Sequence, residues 1–388
     1  MPINVKDVRD YLPDMDRISE EIPEKIEASY KEQAGRTITP SDVRSVLQKD
    51  RITPDDYYVL LSDVAEEFLD EMAVKARMLR RQYFGDNVNS FSPLYIANYC
   101  ENGCRYCGFN SKSGIKRAML TEEEIENEMK ALAAEGIEDV LILTGESAKF
   151  SPIEYIEMAV RLARKYFRVV SLEIYPANVK DYERLQKAGA DFVTVFQETY
   201  DPESYSYYHP HGHKRSMIYR MNTQERAAMG GMRGVGFGAL FGLSDPLRDA
   251  YSMGLHAFLL QRKYPHLEIA ISLPRIRPTH GAEDVDNTNR IDEKKLMQYI
   301  LAMRIFMPFA SMTISTRERK EFRDKAMYYG ATKISASVDT GIGRRTEEHE
   351  EDEGEEQFVI ADNRTLDEIE KDLAEEGLYV LRNDYIRL

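Results

Sequence analysis

Cys100-Glu101-Asn102-Gly103-Cys104-Arg105-Tyr106-Cys107 contains all three cysteines of a 388-residue chain. Thiolates are the usual ligands of iron–sulfur clusters. A cubane has four irons, so a C-x3-C-x2-C loop binds three of them and leaves one open to a further group. Zinc is the other common use of clustered thiolates, but zinc sites usually draw four ligands from two separated knuckles. No second C-x2-C or C-x2-H occurs here. Buried structural thiols are a third reading.

Outward from this loop, short β-branched and aromatic runs alternate with amphipathic stretches, as in βα units around a parallel sheet. Eight such runs read as strands: Pro93 to Tyr99, Asp139 to Thr144, Val169 to Tyr175, Asp191 to Phe196, Gly234 to Leu240, Leu267 to Leu273, Met312 to Ser315 and Thr332 to Ala336. They predict an α/β fold, a closed (β/α)8 barrel of the TIM type, which usually takes about 250 residues. The remaining chain divides into an N-terminal helical extension over 1–90, the barrel over 91–340, and an acidic loop and helix over 341–388. Thr39-Pro40-Ser41-Asp42 and Thr53-Pro54-Asp55-Asp56 each place a capping residue before proline at a helix start. From Asp55 to Tyr83, Leu60, Leu61, Val64, Phe68, Leu69, Met72, Ala76 and Leu79 mark the apolar face of one helix. Thr121-Glu122-Glu123-Glu124 opens another helix that stops at Gly136, and a single helix is expected over 215–229.

The formal net charge of −15 argues against nucleic acid, whose phosphates are gripped by clustered Lys and Arg. No run of about 18 apolar residues suggests a membrane span. The first residues lack the features of a secretory signal, so a cytoplasmic protein is expected. The run Glu347 to Glu356 reads as a solvated loop, or else as a docking patch for a basic partner.

In barrels of this type, polar residues just past each strand build the site. Here they are the cysteine loop, Thr144-Gly145-Glu146, Glu173, Gln197-Glu198-Thr199-Tyr200, Gly242-Leu243-Ser244-Asp245, Arg275 with Arg277, Thr316-Arg317-Glu318, and Ser335 with Ser337. Such a ring offers acids for a ribose or an ammonium and arginines for a carboxylate, although each of these charges could also simply pair with a neighbour. Gly234, Gly236 and Gly238 lie inside a strand, where glycine permits close approach of a backbone or a ligand such as an adenine. His209-Pro210-His211-Gly212-His213 reads as a polar lid over the barrel mouth, with a metal site as the sharper alternative.

These motifs resemble the radical S-adenosylmethionine (SAM) aromatic amino acid lyases, and most of all the tyrosine lyases of thiamine thiazole formation. The resemblance rests on Pro93-Leu94-Tyr95, Asn98-Tyr99-Cys100, Cys107-Gly108-Phe109, Thr144-Gly145-Glu146 and Phe196-Gln197-Glu198-Thr199-Tyr200. It continues through Gly238 to Asp245, Pro274-Arg275-Ile276-Arg277-Pro278, Ser315-Thr316-Arg317-Glu318 and Phe322-Arg323-Asp324. It implies a [4Fe-4S] cluster on Cys100, Cys104 and Cys107, with SAM on the open iron. Tyr106, Glu146, Glu173 and Glu198 would contact SAM, and Tyr95, Arg317 and Ser335 the amino acid end of the substrate. His209 would stand near the phenol of L-tyrosine. Implied partners are a flavodoxin or ferredoxin reductant and thiazole synthase. The related hydrogenase-maturation lyases carry a second cluster on C-terminal cysteines, whereas no cysteine follows Cys107 here. A tryptophan lyase and a non-catalytic iron–sulfur scaffold are the competing readings.

Overall fold

Eight parallel strands close a barrel in the computed structural model, which describes residues 6–277, 289–345, 357 and 360–384. The strands are β1 (Asn87–Ala97), β2 (Asp139–Thr144), β3 (Val169–Glu173), β4 (Phe192–Thr194), β5 (Gly234–Gly238), β6 (Glu268–Ser272), β7 (Ser311–Ile314) and β8 (Lys333–Ser335). Each pairs with the next, and β1 pairs with both β8 and β2 to seal the ring. The apolar core lies between the strands and the helices wrapped around them. The run Glu347 to Glu356 lies outside the described residues. Among the described residues no helix is long and apolar enough to cross a membrane.

The caps read from the sequence form as expected. Thr39, Thr53 and Thr121 each accept a hydrogen bond from the backbone three residues on, in reciprocal capping boxes. Such a box satisfies two backbone donors that the helix itself cannot. The apolar stripe from Asp55 to Tyr83, however, is not one helix. It breaks into Pro54–Leu61, a 3-10 turn over Asp63–Phe68, and Leu69–Phe84. The side-chain amide of Gln298, from a distant helix, donates to the Leu60 and Ser62 carbonyls at 2.9 and 2.8 Å and fixes the break. The helix expected over 215–229 likewise splits, into Met217–Met221 and Thr223–Met229.

Strand β1 starts earlier than expected, at Asn87. Its first residues pair in parallel with a ninth strand, β9 (Tyr379–Leu381), outside the ring. The buried Arg80 prepares that entry, since its guanidinium donates to the carbonyls of Gly85, Asn87 and Ala331. At the other end of β1 the register with β2 slips between Tyr95 and Ala97. Such a bulge bends the strand and re-aims its side chains, and it falls just before the cysteine loop.

Candidate active site

The cysteine loop is closed on itself and then docked. Asn98, fully buried, donates to the Lys116 carbonyl at 2.9 Å and accepts from the Ala118 amide at 2.8 Å. The guanidinium of Arg117 ties down the carbonyls of Asn98, Phe109 and Asn110. Across the barrel mouth the segment after β4 grips the loop. The amides of Gly103 and Arg105 donate to the carbonyls of His211 and Tyr208, and the Lys214 amide donates to Asn102 Oδ1 at 2.9 Å. His211 and its neighbours are therefore a structural clamp on the cysteines rather than a free lid.

Burial pushes the Cys100 thiol up to about 11, and the Glu146 carboxylate and Cys107 add to the shift. Cys104 and Cys107 are also raised by burial, and at both Lys214 pulls the other way. Buried thiols of this kind stay protonated until a metal cation takes the place of their protons. Cys104 senses both other thiols, so the donor set suits a group that reaches all three. A tetrahedral zinc site would need a fourth ligand beyond the three thiols, and no second cysteine or histidine knuckle occurs in the sequence.

Gly145 fits β2 to this loop. Its amide donates to the Ala97 carbonyl at 2.8 Å, and a Cβ on it would overlap the Tyr99 carbonyl. Because backbone cannot swing aside, Gly145→Ala is expected to cost about 1–3 kcal/mol, the usual range for overpacking. It should also lower the iron content after reconstitution. A thermal melt and an iron assay on the same preparation check both.

A cavity of about 960 Å³ runs along the barrel axis. At the C-terminal ends of the strands it is lined by Tyr95, Tyr106, Cys107, Glu173, Glu198, Lys214, Arg317 and Ser335. The Tyr95 hydroxyl donates to Gln357 Oε1 at 2.8 Å. Ser335 Oγ accepts from Arg323 at 3.2 Å. Arg317 feels Tyr95, Glu198, Cys107 and Glu173, which oppose the lowering effect of its burial. Glu198 adopts a left-handed backbone with φ 71°, a strained conformation of the kind found at functional sites.

Burial, and then the neighbouring Glu198, push the Glu173 carboxyl up to about 7, against Arg317. A raised carboxyl binds its proton more tightly in the folded chain than in the unfolded chain, so ionising it costs stability as pH climbs toward 7. Glu173→Gln removes that cost. The ligand-free variant is expected to match the parent below about pH 4 and to be more stable than it above pH 7. Urea titrations across that range check the sign.

Two of the residues expected in the site lie behind it. His209 is fully buried and does not line the cavity. Its Nδ1 donates to the Tyr205 carbonyl at 2.8 Å, leaving Nε2 to accept from the Tyr106 hydroxyl at 2.9 Å. Burial and the charge of Lys214 keep the ring neutral. The helix Pro202–Tyr208 ends just before His209 and turns it toward its own last turn. His209 therefore holds Tyr106, and Tyr106 faces the cavity in its place.

Glu146 is also set back from the cavity. Its carboxylate accepts from Asn102 Nδ2 at 2.9 Å and pairs with Arg220 at 2.8 Å and Lys214 at 3.5 Å. Glu198 pairs with the same two cations, at 2.8 Å to Lys214 and 3.7 Å to Arg220. An ammonium could reach the Glu146 carboxylate only in competition with these partners. Lys214, Arg220 and Asn102 were not singled out from the sequence. The one available signal was an arginine inside the otherwise uncharged helix Met217–Met221.

Of the two readings for the arginines, pairing with a neighbour holds here: Arg275 pairs with Glu318, as does Arg277 at 3.0 Å. Side chains at Gly234, Gly236 and Gly238 would overlap Phe192, Thr194 and Phe196, so these glycines make room for β4 and its extension.

Residues 94–246 match the Radical SAM superfamily, and 272–379 match the Biotin and Thiamin Synthesis associated domain. The chain is 34% identical to 2-iminoacetate synthase of Escherichia coli K12, over 89% of this chain and 91% of that protein. Among solved structures it resembles the FeFe-hydrogenase maturase HydG from Carboxydothermus hydrogenoformans, with a TM-score of 0.87 at 28% identity, covering 95% of this chain and 86% of that one. A further HydG crystal structure matches with a TM-score of 0.85 at 31% identity, covering 93% and 80%. The chain therefore belongs to the radical SAM superfamily, whose enzymes work with a [4Fe-4S] cluster and SAM, and within it to the family of 2-iminoacetate synthase.

Proposed function

We propose that the chain cleaves the Cα–Cβ bond of L-tyrosine to 2-iminoacetate (dehydroglycine) and p-cresol, consuming SAM to 5'-deoxyadenosine and methionine. The product would serve thiazole formation in thiamine biosynthesis. One observation carries this reading: Tyr95, Arg317 and Ser335 share a cavity with Glu173, Glu198 and Cys107. The likeness to 2-iminoacetate synthase over most of the chain supports it.

Cys100, Cys104 and Cys107 would hold the cluster, and Tyr106, Glu173 and Glu198 would line the SAM side. Bound there, the cluster and SAM would supply radical chemistry that begins with removal of one hydrogen atom from the substrate. The chain's own part is to choose which hydrogen is offered. Arg317, a planar guanidinium, can take a carboxylate in two parallel hydrogen bonds and so fix the amino acid end. The Tyr95 hydroxyl donates its hydrogen bond to Gln357, which leaves its oxygen lone pairs to accept from a substrate ammonium. Walls formed by buried side chains exclude water and stray hydrogen donors.

L-tyrosine is thus the proposed substrate, and a flavodoxin or ferredoxin the proposed electron source. Thiazole synthase is the proposed receiver of the imine, which water would otherwise hydrolyse. The test is anaerobic incubation of the reconstituted chain with SAM, a reductant, and tyrosine or tryptophan in parallel. p-Cresol, glyoxylate and 5'-deoxyadenosine from tyrosine alone are expected. Indole-derived product from tryptophan, or deoxyadenosine with no p-cresol, would overturn the substrate assignment.

A further inference from the structure

Glu198, Lys214 and Arg220, all buried, and the part-buried Glu146 form a quartet of two carboxylates and two cations beside the cysteine loop. The formal charges cancel, but their arrangement does not. Lys214 lines the cavity together with Cys107, whereas Glu146 is set back from it on Asn102. The quartet therefore places the Lys214 cation, with Glu198 as its counter-charge, beside Cys107.

Geometry holds that cation in place. The Lys214 backbone is docked on Asn102, between the first and second cysteines. Its ammonium is held 2.8 Å from Glu198 and lies 5.8 Å from the centre of the Tyr106 ring, next to Cys107 in sequence. A charge so enclosed is weakly screened by water and salt, and its field reaches further than that of a surface lysine.

We propose that Lys214 sets the reduction potential of the cluster, raising it so that a biological donor can reduce it, with Glu198 as the opposing charge. The reduced cluster carries one more negative charge than the oxidised one. A fixed cation nearby therefore favours reduction, and net charge around a cluster is one of the levers on its potential. The inference rests on the cluster being held by Cys100, Cys104 and Cys107, and is independent of which amino acid is the substrate.

The experiment is an anaerobic redox titration of the reconstituted full chain without substrate, following the reduced cluster by electron paramagnetic resonance. Lys214→Met is expected to lower the reduced-to-oxidised ratio about tenfold at a fixed potential, which is about 59 mV for one electron. Lys214→Arg, which keeps the charge, should restore most of the difference. Glu198→Gln should move the potential the opposite way, a reversal that general loosening of the site does not produce. An unchanged potential in Lys214→Met, or a downward shift in Glu198→Gln, would overturn the proposal. If Lys214→Met fails to fold, the sign of the Glu198→Gln shift alone decides. An unmodified chain that binds no cluster would instead refute the cysteine assignment and this inference together.

Discussion

Replacing Arg317 with lysine is expected to separate the two halves of the reaction: SAM should still be cleaved, while p-cresol falls by about 10- to 100-fold. Arg317 lines the cavity beside Tyr95, Glu173 and Glu198, and in the proposed reaction it is the cation that takes the substrate carboxylate. A guanidinium offers two parallel donors in one plane, whereas an ammonium is a compact point charge on a flexible stem. Losing one charge-assisted hydrogen bond costs about 1.5–3 kcal/mol, which is where the expected factor comes from. More important, a carboxylate held at one point can swivel and present a different hydrogen. Deoxyadenosine should therefore continue to form, partly uncoupled from tyrosine cleavage. Quantifying both products in one reaction checks this, and p-cresol formation at the parent rate would remove Arg317 from the carboxylate site.

What could be read in the sequence was whatever depends on neighbours along the chain. The barrel strands announce themselves as short apolar runs, and Thr39, Thr53 and Thr121 cap helices because the partner carboxylate lies three residues away. The cysteine spacing is equally local. The features that were missed depend on contacts between distant segments. The break after Leu61 is made by Gln298. Strand β9 has only three residues and no alternation to reveal it, and it forms because β1 extends beyond the ring. His209 looks in sequence like a lid residue, but its position follows from the docking of the segment after β4 onto the cysteine loop. The same docking buries Lys214 and Arg220, two cations that sequence alone would place on a helix surface.

Arg220→Met is expected to be among the most destabilising single changes in the chain, costing about 3–5 kcal/mol, because it leaves a part-buried carboxylate short of its main partner. Burial pushes the Glu146 carboxyl up, yet Arg220 and Lys214 together hold it below the ordinary glutamate value. Without Arg220, Lys214 stands 3.5 Å from Glu146 and is already committed at 2.8 Å to Glu198. The deficit should depend on pH in a defined direction. In the parent, the depressed carboxyl adds stability at neutral pH that fades as pH falls through its folded value. In the variant a protonated Glu146 needs no cation, so the gap between the two chains should narrow as the medium is acidified below the ordinary glutamate value. Adding Glu146→Gln to Arg220→Met should recover part of the loss at neutral pH, since the pair is in direct contact and its effects do not add. Urea denaturation of the four cluster-free chains measures this coupling. Strict additivity would mean that Arg220 serves the fold through its bond to the Phe196 carbonyl and not through Glu146.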